Sequence, residues 1–152
     1  MSEKDEDWMR HAIQLARDAG ETGEVPVGAV IVDEAGSILA AASNLTTKNV
    51  DPTAHAEILA LRIAATRVGN YRLNGATVYT TIEPCAMCAG ALVHARIARL
   101  VYGAADDRFG AVETHFRICD SPELNHRIEI TSGVLADKCR ALMQDFFKAR
   151  RK

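Results

Sequence analysis

Two short segments contain the residue types that catalytic zinc sites use. His55 and Glu57 frame a His-Ala-Glu tripeptide, while Cys85 and Cys88 follow Pro84 with two residues between them. Zinc binds imidazole nitrogen at about 2.0 Å and thiolate sulfur at about 2.3 Å. Three protein ligands leave the fourth tetrahedral position open for water, which is typical of a catalytic site. The pattern therefore predicts one zinc ion held by His55, Cys85 and Cys88.

Glu57 is predicted to lie beside the metal without binding it. It is two residues from His55, too close in sequence for both side chains to share one helix face. Zinc lowers the pKa of a bound water from about 15.7 towards ~7, and a nearby carboxylate can take the released proton. The same group can pass that proton to a ring nitrogen and later protonate a departing amine. Glu57 is thus the predicted general acid and base.

The elements that position these residues are two helices. Cys85 and Cys88 are three residues apart, so they share a face near a helix start, where the positive end of the dipole favours thiolates. His55 can meet them if the two helix N-termini pack side by side. We predict the helices over residues 51–67 and 83–95.

The other elements alternate along the chain. Pro52 favours a helix start at Asp51-Pro52, because proline suits the first turn. Apolar periodicity predicts further helices over residues 7–19 and 134–147. Apolar and β-branched runs predict strands over residues 27–32, 38–42, 76–81, 100–103 and 127–131. This alternation predicts an α/β fold with a helix-covered sheet, and the absence of a linker predicts a single domain over 1–152.

Composition limits the class of protein. The 152 residues are 48% hydrophobic, enough for a core without disulfides, and 18 basic against 20 acidic residues give a net charge of −2. Bulk charge therefore does not indicate a nucleic-acid partner. The acidic start lacks signal-peptide features and no apolar run could span a membrane, so we expect a cytoplasmic protein. In that reducing compartment the four cysteines should be thiols or thiolates rather than disulfides.

Two other interpretations of the Cys-x-x-Cys pair stay open. A redox dithiol usually lacks a linked His-x-Glu. A structural zinc site needs a fourth ligand, but His94 lies six residues beyond Cys88 and faces away from the ligand side of its helix. The full set of candidate fourth ligands is His94, His115, His126, Cys119 and Cys139.

His-x-Glu followed by Pro-Cys-x-x-Cys resembles the cytidine and deoxycytidylate deaminase superfamily. More specific segments are similar to the bacterial tRNA-specific adenosine deaminases, and this likeness extends from about residue 8 to residue 151. The segments are residues 24–30, 51–57, 70–73, 83–91 and 125–127.

The resemblance implies a three-layer α-β-α fold of the cytidine-deaminase type, with a five-stranded mixed sheet and helices on both faces. It implies a homodimer with one zinc ion per subunit, whose partner is a tRNA anticodon loop and not a membrane. The implied reaction is hydrolysis of adenosine to inosine at the wobble position, with attack at C6, proton transfer through N1 by Glu57, and release of ammonia. The base would be flipped into the site at a cost of about a few kcal/mol.

Two different functions remain as alternatives. A deaminase of a free base or nucleoside, such as guanine or cytidine, would use the same zinc chemistry but would not need an aromatic and basic surface for RNA. A non-catalytic, zinc-stabilised RNA-binding module would have no use for Glu57. The acid beside the predicted metal therefore argues for an enzyme.

The resemblance also implies substrate contacts. Asn44 matches the family asparagine that hydrogen-bonds the target nucleoside, although a loop asparagine can simply cap a turn. Val27 and Ile82 would line the base pocket, and their burial equally suits strand core. Asp106 lies in the loop that approaches the RNA backbone, where a solvated acid is the alternative. The remaining predicted contacts are Ala56, His126, Phe147 and Arg150.

The C-terminal segment is a separate candidate for RNA binding. Aromatic faces stack on unpaired bases and cations neutralise phosphate, so we expect one of Phe146 and Phe147 to face RNA and the other to pack the last helix. The alternative is that the basic residues 148–152 form a frayed tail. His126 is equally able to contact RNA or the pocket wall, or to satisfy a turn.

One stretch departs from the family pattern. After Gly110 the family often carries small residues and then a leucine, whereas residues 111–116 read Ala-Val-Glu-Thr-His-Phe. The added bulk and acid affect the expected RNA or dimer contacts and leave the zinc motif intact.

Overall fold

The computed structural model describes residues 2–150, which form five strands and four helices. Their bounds are α1 Glu3–Glu21, β1 Gly28–Val32, β2 Ile38–Ser43, α2 Ala56–Val68, β3 Thr77–Ile82, α3 Ala86–His94, β4 Arg99–Ala104, β5 Glu129–Thr131 and α4 Ala136–Arg150. Helices α1 and α4 pack together on one face of the sheet, and α2 and α3 on the other. The predicted α/β fold with a five-stranded mixed sheet is confirmed.

The strand order places the ends of two parallel strands side by side. The order is β2-β1-β3-β4-β5; β1 is antiparallel to both neighbours, and β3, β4 and β5 are parallel. Ile82, which ends β3, pairs with Ala104, which ends β4. Ligands of α/β folds bind at the carboxyl ends of such strands, so a site is expected where β3 and β4 end.

The central strands are buried because helices cover both faces. All five residues of β1 are buried, as are five of the six in both β3 and β4. Strands covered on both sides become continuous apolar runs, as β1 is in the sequence, whereas β3 also buries Thr80 and Thr81. Gly28 permits the closest approach of α1, because a Cβ there would lie 2.0 Å from the Ala12 carbonyl oxygen.

The predicted start of α2 at Asp51-Pro52 is wrong. The Asp51 carboxylate accepts hydrogen bonds from the Thr53 backbone N–H at 2.8 Å and from its hydroxyl at 2.7 Å, which closes a turn instead. His55 is extended, with φ −74° and ψ 150°, and the helix begins at Ala56. The side chain of Asp51 therefore outcompetes the helical preference of Pro52.

The outer helices also differ from prediction at their ends. The first helix begins at Glu3 rather than residue 7, because the Ser2 side chain accepts the Asp5 N–H and caps it. The last helix begins at Ala136 and continues to Arg150, so the basic residues up to 150 are helical; Arg151 and Lys152 lie outside the described residues. Each helix within residues 2–150 is too short or too polar to cross a bilayer.

Asp5 connects α1 to the start of β4 through a buried ion pair. Its carboxylate accepts two bonds from the Arg99 guanidinium, at 2.9 and 2.7 Å, and one from the Tyr79 hydroxyl at 2.8 Å. The bond from Arg99 lowers the pKa of Asp5, although burial opposes the effect. Because the folded-state pKa is lowered, this interaction stabilises the fold above the unfolded pKa of about 3.9 and is lost as pH falls through the folded value.

Replacing Asp5 with asparagine is expected to lower the free energy of unfolding by about 3 kcal/mol at neutral pH, because Arg99 would keep its charge without a partner. The difference from wild type should shrink as pH falls from about 5 to about 3. Urea denaturation over this range measures both effects. Asp7→Asn is the control, since the Asp7–Arg10 pair is exposed and should contribute less than about 1 kcal/mol. A deficit that stays constant down to the lowest pH would contradict the assignment.

Candidate metal centre and substrate cavity

The three predicted zinc ligands lie together in the structure. Nδ1 of His55 is 3.6 Å from Sγ of Cys85 and 3.5 Å from Sγ of Cys88. Tetrahedral zinc, with bonds of about 2.0 Å to nitrogen and 2.3 Å to sulfur, would space these atoms by about 3.6 Å. The chain therefore provides the donor types and the spacing that a tetrahedral zinc ion needs. Within the described residues, no fourth His, Cys, Asp or Glu joins this group.

His55 and Cys85 occupy equivalent places in the fold. Each is the residue before a helix, α2 or α3, each has an extended backbone, and neither side chain caps its helix. Their side chains are thereby free to meet at one centre, which Cys88 reaches from the first turn of α3. The free N–H at the start of α2 is capped from elsewhere: Oδ1 of Asn44 accepts the buried Ala56 N–H at 2.7 Å. The predicted side-by-side packing of two helix starts is confirmed.

Electrostatics at the centre favour a negatively charged Cys85. A hydrogen bond with Cys88 lowers the pKa of Cys85 to about 4, and the same contact together with burial raises the pKa of Cys88. The contact with Cys85 in turn raises the pKa of His55. The start of α3 adds the positive end of its dipole. The thiol pair thus carries one negative charge and one proton. A bound dication would displace this proton, so that both sulfur atoms bind as thiolates.

Glu57 is buried next to the three ligands in the first turn of α2, with 4% of its surface exposed. Burial raises the pKa of Glu57 to about 7, and the charge on Cys85 adds to this effect. A carboxyl group with that pKa can both accept and donate a proton near neutral pH. Its side chain is not part of the three-ligand group.

A cavity of about 1020 Å³ opens at the carboxyl ends of β3 and β4. It brings together four residues that the sequence analysis treats as substrate contacts, namely Ile82, Asp106, Phe147 and Arg150. The metal ligands are not in its wall, and Ile82 is the lining residue closest to them in sequence, three positions before Cys85. The full lining is Ile82, Ala104, Ala105, Asp106, Asp107, Arg108, Arg140, Met143, Gln144, Asp145, Phe147, Lys148 and Arg150.

One face of α4 supplies much of this wall. Five lining residues, spaced by three and four positions, fall on one side of the helix: Arg140, Met143, Gln144, Phe147 and Lys148. Phe147 and Lys148 were predicted from the sequence as candidates for RNA binding, but Arg140, Met143 and Gln144 were not. The helical periodicity that predicted α4 could have identified them, because they lie three, four and seven positions before Phe147.

The two phenylalanines of α4 lie in different surroundings. Phe146 is half-buried near Gly20 of α1, and the Arg150 guanidinium stacks on its ring at 3.6 Å. Phe147 packs edge-on against Phe146, lines the cavity and is 44% exposed. Phe147 is therefore the aromatic ring available for stacking.

The remaining predicted residues differ in their surroundings. Val27 and Ala56 are buried, and so is Asn44, whose Nδ2 group has no hydrogen-bond partner among residues 2–150. Oδ1 of Asp106 accepts the backbone N–H groups of Arg108 and Phe109, at 3.0 and 3.2 Å. Asp106 therefore shapes the loop that follows β4 as well as lining the cavity.

His126 does not join the other predicted contacts. Its Nε2 donates to the carbonyl oxygen of Ile97 at 2.8 Å. Ile97 precedes β4, whereas the cavity lies beyond Ala104 at the other end of that strand, roughly 20 Å away for six extended residues. His126 therefore hydrogen-bonds a backbone carbonyl near the amino end of β4, away from the cavity.

Residues 2–104 match the sequence model of the cytidine and deoxycytidylate deaminase zinc-binding region. The chain is 51% identical over 150 residues to the tRNA-specific adenosine deaminase of Haemophilus influenzae, covering 99% of this chain and 87% of that protein. It is 43% identical over 149 residues to the tRNA-specific adenosine deaminase of Bacillus subtilis, covering 98% and 92%.

Two kinds of solved structure resemble it. A structure from work on A-to-I editing by tRNA:A34 deaminases at the wobble position of transfer RNA has a TM-score of 0.86 at 43% identity, covering 90% of this chain and 98% of that one. A guanine deaminase from Nitrosomonas europaea has a TM-score of 0.78 at 28% identity, covering 93% and 83%.

Proposed function

The chain belongs to the zinc-binding cytidine and deoxycytidylate deaminase family, and we propose that it hydrolyses adenosine to inosine at the wobble position of a tRNA anticodon. The observation that carries this proposal is a three-ligand metal centre with a buried acid beside it. The identity to tRNA-specific adenosine deaminases supports adenosine in tRNA as the substrate.

The chemistry follows from the residues at the centre. His55, Cys85 and Cys88 would hold zinc, which supplies a Lewis acid that lowers the pKa of a bound water to about 7. Glu57 would accept one proton from the attacking water and deliver it to N1 of adenine as the water oxygen bonds to C6. It would then take the remaining proton of the C6 hydroxyl and pass it to the amino group, so that the C6–N bond breaks, ammonia leaves and N1 keeps its proton. A pKa of about 7 fits a group that must both take and give protons.

We propose that the buried residues around the centre hold the target nucleoside. The Asn44 carbonyl oxygen is occupied in capping α2, so its amide N–H₂ group is directed to donate to the nucleoside. Val27 and Ile82, both buried, are proposed as apolar walls for the base, with Ala56 at the start of α2 completing the set. The position of Val27 next to Asn44 supports this proposal, since the backbone N–H of Asn44 donates to the Val27 carbonyl at 3.2 Å.

The cavity is proposed to receive the RNA around the flipped base. Phe147 would stack on an unpaired neighbour, and Arg150, held against Phe146, would contact phosphate. Asp106 would set the shape of the loop that faces the RNA backbone. His126 stays outside this proposed contact surface because of its position at the far end of β4.

The experiment that tests the function is a substrate panel. The purified protein is incubated with an anticodon stem-loop carrying adenosine at the wobble position, with free guanine and with cytidine, and its zinc is measured in the same sample. We expect inosine in the stem-loop and little change in the small molecules. Turnover of guanine with unmodified RNA would favour the guanine deaminase alternative, which the Nitrosomonas europaea relative represents.

A pair of variants distinguishes RNA contact from general damage. Phe147→Ala should raise KM for the stem-loop about tenfold, the effect of losing about one stacked base at 1–3 kcal/mol. Tyr71→Ala is the control, because Tyr71 is 70% exposed but follows the far end of α2. Equal KM values for Phe147→Ala and wild type would remove Phe147 from the RNA surface.

We propose a single domain with one zinc ion per subunit, working in the cytoplasm where tRNA is found. The four helices pack on one sheet, and one three-ligand group occurs within residues 2–150. Metal analysis should therefore give a ratio near one zinc per chain, and a ratio near two would contradict this stoichiometry.

We also propose that the protein is a homodimer that pairs through α3. Met87, Gly90, Ala91 and His94 recur at three- and four-residue steps and remain partly or fully exposed on this largely apolar helix. A Cβ at Gly90 would meet no atom within 4 Å, so the face is open to a second chain. Sedimentation equilibrium should give twice the chain mass, and a monomer at micromolar concentration would contradict the proposal.

A further inference from the structure

Glu83 is a buried carboxylate with an unusual set of partners. It lies between β3 and the metal ligand Cys85 and is 2% exposed. Within residues 2–150 no Lys, Arg or His side chain pairs with it. Burying an unpaired carboxylate costs several kcal/mol unless hydrogen bonds replace its water. Hydrogen bonds therefore have to replace the water that this carboxylate loses on burial.

All of its hydrogen-bond donors come from one segment, residues 106–114. Oε2 accepts the backbone N–H groups of Val112, Glu113 and Thr114 at 3.0, 2.8 and 2.9 Å. Oε1 accepts the Asp106 N–H at 3.2 Å and the Thr114 hydroxyl. Successive backbone N–H groups that surround one anion form a nest, so this carboxylate organises the segment as a bound anion would.

Close packing and backbone bonds strengthen this connection. A Cβ at Gly110 would lie 2.4 Å from Oε1 of Glu83, so only glycine allows the segment to approach so closely. The Ala111 N–H donates to the Pro84 carbonyl at 2.9 Å, and the Glu83 N–H donates to the Ala104 carbonyl at 2.8 Å. The 106–114 segment is thus hydrogen-bonded directly to Glu83 and Pro84, the two residues that precede Cys85.

The same segment forms part of the substrate cavity, through Asp106, Asp107 and Arg108. We infer that Glu83 is a positioning residue, which fixes the RNA-facing 106–114 segment relative to the metal-ligand turn so that bound RNA places its target base at the centre. This inference rests on the proposed function. Its effect should appear chiefly in KM for RNA, because Glu83 touches neither the reacting atoms nor the metal ligand atoms.

Glu83→Gln tests the role with the smallest change in shape. The glutamine oxygen can still accept the three N–H groups of residues 112–114, and its N–H₂ group can donate to the Thr114 hydroxyl. That N–H₂ group would then face the Asp106 N–H, donor against donor, so the variant releases mainly the Asp106 end of the segment. We expect KM for the anticodon stem-loop to rise about tenfold or more with kcat changed less than about threefold, and with zinc retained.

Two further measurements keep the inference falsifiable. Gly110→Ala pushes the segment away from the carboxylate without changing charge, and it should also raise KM. Asp5→Asn is the matched control: it removes a buried carboxylate at the opposite edge of the sheet, so it should lower the melting temperature without raising KM. If Glu83→Gln fails to fold, Gly110→Ala decides by itself.

The outcomes separate the inference from the proposed function. Wild-type protein that leaves the stem-loop unmodified defeats the proposed function, and the inference with it. Active wild type with the same KM in Glu83→Gln and Gly110→Ala overturns the inference alone. Loss of zinc in Glu83→Gln also overturns it, because the residue would then support the metal ligands rather than the RNA-facing segment.

Discussion

Replacing Glu57 with alanine will abolish measurable deamination while the zinc and the fold remain. Glu57 is buried at the start of α2 beside His55 and Cys88, but it is outside the three-ligand group. Removing it therefore leaves the metal donors in place and takes away the group that moves protons between water, N1 and the leaving amine. General acid–base catalysis contributes about 10²- to 10⁴-fold, and one residue performs several transfers here, so the loss should reach at least this range.

Inosine formation in the anticodon stem-loop, zinc content and melting temperature measure the three parts of this expectation. Glu57→Gln provides the matched variant, because it keeps the shape of the side chain but cannot exchange a proton in the same way. Both variants should be inactive and zinc-loaded. Activity above about one tenth of wild type in either would refute proton transfer by Glu57, and loss of zinc from both would indicate a structural role instead.

The metal centre could be predicted from the sequence because its geometry is local. Cys85 and Cys88 are three residues apart at a helix start, so the local structure of that turn brings both thiols to one side. His55 is distant in sequence, but its neighbour Glu57 and the polar start of a predicted helix indicate the same kind of site. Donor chemistry, spacing and an open coordination position together narrow the function before any coordinates are considered.

The error at the start of α2 shows how side chains override local preference. Pro52 suits a first helical turn. The Asp51 carboxylate nevertheless accepts two hydrogen bonds from Thr53, which hold residues 51–53 in a turn. The difference matters to function, because a helix beginning at Pro52 would place His55 inside the first turn. As the residue before the helix, His55 has an extended backbone that directs Nδ1 to the thiols.

Contacts between distant segments could not be read from the sequence. Glu83 looks like a routine acid before a helix, and only the packing of residues 106–114 reveals what it binds. His126 looked suitable for RNA contact, but the direction of β4 carries it to the other end of the sheet. Both depend on which end of a strand a loop reaches, and that is a property of topology rather than of local spacing.

Replacing Cys88 with alanine will release the zinc and eliminate activity, and it will also destabilise the fold. Cys88 is buried in the first turn of α3, so its loss leaves two ligands and a cavity where the thiol was. Zinc binds the folded chain, so its loss removes stability by mass action, about 4 kcal/mol if free zinc exceeds its Kd about 1,000-fold. Wild-type protein treated with a chelator should unfold at a similar urea concentration to Cys88→Ala.

Cys119→Ala provides the control that separates metal loss from the loss of a buried thiol. Cys119 is fully buried as well, but it is not in the metal group, and burial raises the pKa of its thiol to about 12, so it remains neutral. This variant should keep its zinc and its activity and lose about 1 kcal/mol of stability. If Cys88→Ala retained a full equivalent of zinc, the donor set derived from the distances to His55 would be wrong. If chelation left the wild type as stable as before, zinc would contribute only chemistry, and the destabilisation of Cys88→Ala would have to come from packing alone.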